Sequence, residues 1–143
     1  MAKKIHKLSL AGADEYAFIA IASHENDYRV SWALNQSLGI QLKRENDLEL
    51  SEKKTGLQQH FSLFTVYDEQ KDIAFRLISN LSENGYLIPE HKNIDFVLQL
   101  KGELDDAYVS GLANGIKAIE MVMLAFVIPQ ESIKPGTINK LKF

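Results

Sequence analysis

There is no cysteine in this chain of 143 residues. That one absence removes disulfides, thiolate nucleophiles, iron–sulfur clusters and cysteine-bound zinc together, and it points to a reducing cytoplasm as the setting. Long apolar runs are missing as well. The longest, Met121 to Ile128, falls far short of the ~20 residues a bilayer span takes, so no membrane is expected. The opening Met1-Ala2-Lys3-Lys4-Ile5-His6-Lys7 begins like the charged part of a signal peptide, yet Ser9, Gly12, Asp14 and Glu15 interrupt what would be its apolar core. No segment is low in complexity or rich enough in proline and glycine to link two domains, and no repeat at solenoid spacing is visible. Basic charge is not in excess either. Sixteen Lys and Arg stand against nineteen Asp and Glu, a net charge of −3, which favours solubility and speaks against nucleic acid as a partner. Lys134, Lys140 and Lys142 are the one hint of a basic patch, and a solvated lysine-bearing tail is the plainer reading.

What is present reads as one α+β domain over residues 1–143, with residues 130–143 as a C-terminal tail. A chain of this length buries roughly two-thirds of its extended surface without staples. Ile5, Leu8 and Leu10 suggest a first strand before a Gly12 turn, and Tyr16 to Ala22 is an apolar run suited to a strand buried on both faces. The period then becomes helical. Val30, Ala33, Leu34 and Leu38 share a face, with Asn26 placed to cap the start and Gly39 to end it. Ile40 and Leu42 suggest a short strand, and Lys43 to Thr55 an exposed charged excursion. Phe61 to Tyr67 and Ile73 to Ile78 form a hairpin across a polar loop.

The segment Asn80 to Asn93 carries Asn84-Gly85 and Pro89 and is expected to be a loop of fixed path. Asp95 to Lys101 alternates as a half-buried strand would. Leu104, Tyr108, Leu112 and Ile116 mark a second helix. Gly111 and Gly115 weaken it by about 1 kcal/mol each relative to alanine, and could let it sit close to the sheet. Ile119 to Ile128 fits a buried strand better than a continued helix, because Gly115 and Pro129 bound it, but periodicity alone leaves both open. The order β-β-α-β-β-β-β-α-β implies a mainly antiparallel sheet with two helices on one face, a ferredoxin-like or ACT-like arrangement around a central hairpin.

At Ile88-Pro89-Glu90 and, four residues on, Ile94-Asp95-Phe96, the chain resembles a bacterial family named for its own motif, the IPExxxVDY family. Ile88, Pro89, Glu90 and Asp95 fit the motif, while Ile94 replaces its valine and Phe96 its tyrosine. The resemblance extends to Asp27-Tyr28-Arg29 with Trp32, Asn35 and Leu38, and to the ending Asn139-Lys140-Leu141-Lys142-Phe143. It implies a cytoplasmic protein from the Bacteroidota and supplies no mechanism. Phe96 shifts the motif toward a structural role, since a tyrosine acid, base or nucleophile is impossible at that position.

Two sets of residues are candidates for function. The first is an anion site at the strand-to-helix junction, where free N–H groups and the partial positive charge of a helix N-terminus would join His24, Asp27 and the bidentate Arg29, with Glu90 and Asp95 as carboxylates nearby. Against it, Glu25 and Asp27 already complement the dipole. There is no glycine-rich phosphate loop, no GxSxG around Ser23, and Tyr28 stands where a zinc-protease motif starting at His24 would need its second histidine. His6, His24, His60 and His91 show no ligand spacing, so no metal and no cofactor are expected. In the bland reading of the motif, Glu90 and Asp95 accept backbone N–H bonds in the turns beside them. The second set, Tyr28, Trp32 and Asn35, lies partly outside the core face of the helix and is expected to be a contact surface. Together these favour a non-catalytic binding or assembly protein, a homodimer joined through an exposed sheet edge or the Tyr28/Trp32 surface, with a regulatory or enzymatic site for a small anionic ligand as the alternative.

Overall fold

A computed structural model describes residues 15–142. In chain order the elements are β1 (Glu15–Ala22), α1 (Asp27–Leu38), β2 (Lys43–Ser51), β3 (Gln58–Asp68), β4 (Ile73–Ser79), a small ribbon of β5 (Leu81–Ser82) and β6 (Gly85–Tyr86), β7 (Phe96–Gly102), α2 (Asp106–Lys117), β8 (Leu124–Val127), a 3-10 turn (Gln130–Ser132) and α3 (Pro135–Leu141). Six strands form one sheet in the order β2-β3-β4-β7-β1-β8, and every neighbouring pair is antiparallel. Within it, β8-β1-β7-β4 with α1 after β1 and α2 after β7 is the ferredoxin-like order, and the β2-β3 pair widens it at one edge. The α+β domain is therefore as expected. The suggested strand at Ile5 to Leu10 lies outside the described residues.

β1 shows why the sheet is central. Phe18, Ile19, Ala20 and Ile21 are all fully buried, so neither face of this strand meets water. Its period of two sends Ile19 and Ile21 into one core, with Val30 and Leu34 of α1 and Val109, Ala113 and Ile116 of α2. Phe18 and Ala20 go into a second core on the opposite face, with Phe61, Leu87, Ile88, Ile94, Ile133 and Leu141. α1 begins and ends where its caps dictate. The Asn26 side chain accepts from the Arg29 N–H at 2.9 Å, and Gly39, at φ 67°, donates back to the Asn35 carbonyl at 3.0 Å.

Four expectations change. Lys43 to Ser51 is an edge strand, with a bulge between Glu45 and Leu48, whereas Ile40 and Leu42 are core plugs before it. Charges along an edge are what keep such a strand from pairing with strangers, which is why it reads as an excursion. β7 is buried on both faces, because Val97 and Gln99 have no exposure; Gln99 mimics a solvent-facing position only because its polar partner, Arg76, is buried beside it. Residues 130–142 are not a solvated tail but a 3-10 turn and a helix that bury Ile133, Thr137 and Leu141. Gly111 and Gly115 face solvent, with nothing within 4 Å of an added Cβ, so they give no close approach to the sheet. The ambiguous stretch resolves to a turn through Val122 followed by β8.

Candidate functional site

The motif loop is built around a residue the sequence reading passed over. Asn80 has no exposure, and its side chain accepts from the Ile88 N–H at 2.8 Å while donating to the carbonyls of His91 and Ile94 at 2.9 and 3.2 Å. Its own backbone takes the Leu87 N–H and donates to the Asp95 carbonyl. A buried loop needs a partner for each backbone polar group, and one asparagine supplies five. Pro89 then sends Glu90 toward the C-terminal segment. There Glu90 Oε2 accepts from the Lys134 N–H at 3.1 Å and lies 3.3 Å from the Thr137 hydroxyl. Lys134, at the N-cap of α3, makes no capping bond with its own side chain, so Glu90 serves as the cap from 44 residues away. His91 adds a 2.9 Å contact from Nε2 to the Ser132 hydroxyl.

Deeper in the same face, the Arg76 guanidinium donates to Gln99 Oε1 at 3.0 and 2.8 Å and to the Leu141 carbonyl at 2.9 Å. Gln99 donates to that carbonyl too. Burial pushes Arg76 down to about 10, which still leaves it cationic at neutral pH. Glu90 Oε2 and Arg76 thus hold the C-terminal segment to the sheet, while Glu90 Oε1 is buried without a hydrogen-bond partner.

Asp95 does reach the strand-to-helix junction. Its Oδ2 accepts from the Ser23 N–H at 2.9 Å, and the Ser23 hydroxyl donates to the Met121 carbonyl at 2.8 Å. These bonds stitch β7, the β1–α1 turn and the α2–β8 connection together. Glu90 does not join them, since its partners lie on the opposite face of the sheet. At the helix start, the donors an anion would use are already engaged: the Tyr28 N–H with Asp27 Oδ1 at 2.8 Å, the Arg29 N–H with Asn26. Arg29 pairs with Glu25 at 3.4 Å, and His24 is exposed in the turn. Of the five proposed ligand-binding residues, His24, Asp27, Arg29 and Asp95 therefore stand at the junction, the last three engaged in local bonds, while Glu90 stands apart. Among the described residues no three of His, Asp and Glu are grouped to hold a metal ion, and no helix is long and apolar enough to cross a membrane.

The contact-surface candidates fare differently. Tyr28 and Trp32, one turn apart on α1, are 63% and 58% exposed. Tyr28 is nonetheless fixed, its ring edge-on to Phe64 at 5.6 Å. With Arg29 they frame a depression of about 290 Å³. Trp32 and Arg29 also border a larger groove of about 520 Å³, walled by Ala33 and Gln36 on α1 and by Ile119, Glu120 and Met121. Asn35 does not belong to this surface: its carboxamide bonds both the N–H and the carbonyl of Leu42, at 2.7 and 3.2 Å. The i, i+4 spacing of Tyr28 and Trp32 was the signal for the surface, and nothing in spacing distinguishes Asn35, which a buried backbone partner claims. No protein-family model, curated protein or solved structure matches the chain.

Proposed function

We propose that this chain is a non-catalytic binding protein that self-associates through the exposed face of α1. The observation that carries the reading is the pair of large aromatic side chains, Tyr28 and Trp32, left more than half exposed beside Arg29 on a helix whose other face is core. Tyr, Trp and Arg are the residue types that dominate binding energy at protein interfaces, Tyr and Trp because they offer wide contact area at low entropic cost and Arg because its planar fork offers several directed donors. A ring already braced on Phe64 loses little freedom on docking. The family resemblance belongs to the same proposal. Its motif loop serves as a clasp, ordered by Asn80 and capping α3 through Glu90 Oε2, which supports a binding surface elsewhere.

The test is mass against concentration by sedimentation or light scattering. The wild type forms a dimer as concentration rises. Trp32→Ala loses about 2 kcal/mol of association, a Kd about 30-fold weaker, with the helical circular dichroism unchanged. A wild type that stays monomeric throughout, or a Trp32→Ala protein that dimerises as well as its parent, overturns the reading.

A further inference from the structure

Resting on that reading, we infer that the partner of the α1 surface is a second copy of the chain docked across a two-fold axis, with Trp32 of each copy seated in the groove of the other between α1 and the Ile119–Met121 connection. An isologous contact uses the same patch on both molecules, so the patch must carry both a projection and the recess that receives it. This one does. Trp32 projects at 58% exposure, and the 520 Å³ groove opens directly beside it, with Ala33, Ile119 and Met121 offering apolar walls. One indole fills only part of such a space, which leaves room for the aliphatic stem of a neighbouring side chain.

The charges fit a second copy as well. Arg29 sits one turn before Trp32 and lines the groove with it, paired to Glu25 through a loose contact of 3.4 Å with both side chains well exposed, 60% and 43%. Glu120, on the opposite wall, is exposed and in no ion pair among the described residues. Seating Trp32 of one copy against Ile119 and Met121 of the other carries its Arg29 to that unpaired carboxylate. The symmetry axis makes the same contact twice.

The chain contains a single tryptophan, so its emission reports the proposed contact without interference. On concentrating the wild type, Trp32 emission moves to the blue in step with dimer mass. Arg29→Glu and Glu120→Arg each weaken the dimer by about tenfold or more through like-charge contacts, and the double variant, which swaps the pair, restores it. Both positions are exposed, and circular dichroism controls for folding. Association without a change in emission overturns this docking while leaving self-association standing. So does a double variant that remains as weak as the single ones. A wild type that never dimerises removes both proposals together.

Discussion

The two faces of the sheet are closed by different means. On one, α1 and α2 lay regular apolar stripes over Ile19, Ile21, Phe75, Leu77 and Leu98. On the other, an irregular loop and a short C-terminal helix cover Phe18, Phe61, Ile78 and Val97. A helix satisfies its own backbone hydrogen bonds and needs only an apolar stripe to be buried, whereas an irregular cover must find a partner for every N–H and C=O it takes out of water. Apart from Ser23 and Ser31, the buried polar side chains collect accordingly on the second face: Gln59 holding the Asn84 carbonyl, Asn80 the motif loop, Arg76 and Gln99 the end of α3. The helical face is held mainly by burial, and the opposite face by burial plus a few obligatory hydrogen bonds.

That difference predicts where single substitutions do most damage. Asn80→Ala removes three side-chain hydrogen bonds at a site without exposure. It leaves the Ile88 N–H and two carbonyls unsatisfied, at a cost of about 4 kcal/mol. Leu34→Ala, on the helical face, makes a cavity at a fully buried position and costs about 3 kcal/mol. Chemical denaturation of the two variants ranks them. If Leu34→Ala proves the worse by a clear margin, the second face depends on its polar contacts less than its geometry implies. Glu90→Ala is milder, at about 1 kcal/mol, the usual loss for a helix cap. Its sharper sign is local: amide exchange speeds up in α3 and around Lys134, while α1 is unchanged.

The same contrast explains what the sequence disclosed. α1 was legible from end to end, since Asn26, the Val30–Leu34 stripe and Gly39 are local signals within one helix. β1 was legible as a strand buried twice over. α2 was legible as a helix, but its buried stripe is shifted by a residue over its first two turns, because Val109, Ala113 and Ile116 carry its burial while Tyr108 and Leu112 are only partly covered. The second face was not legible. Its decisive pairs, Asn80 with Ile94, Arg76 with Leu141 and Glu90 with Lys134, join residues 14, 65 and 44 apart, and no local pattern encodes them. Gln99 looked like the wet side of a strand, beside the exposed Asp95 and the half-buried Lys101, because a polar residue in a buried network has the same spelling as one in water. Of the candidate site, the aromatic surface was visible in helical spacing, and the separation of Glu90 from Arg29 was not.

The smallest effect tests the helical face from the opposite direction. If burial against the sheet is what holds α2, its solvent side is free to be optimised, and glycines there serve no packing purpose. Gly111 and Gly115 meet that condition: each lies inside α2, is exposed, takes no positive φ, and has nothing within 4 Å of an added Cβ. Replacing either with alanine removes backbone freedom from the unfolded chain and favours the helix. Each substitution is therefore worth a gain of about 0.5–1 kcal/mol, and the two sites, one turn apart on the exposed side, act nearly additively. Gly102 is the control. At φ 154° its added Cβ would lie 2.7 Å from the Asp72 carbonyl oxygen, so alanine there lowers the melting temperature while Gly111→Ala and Gly115→Ala raise it. Loss of stability at Gly111 or Gly115 would mean that this side of α2 is covered in solution, and the helical face would then not end at the outer side of α2.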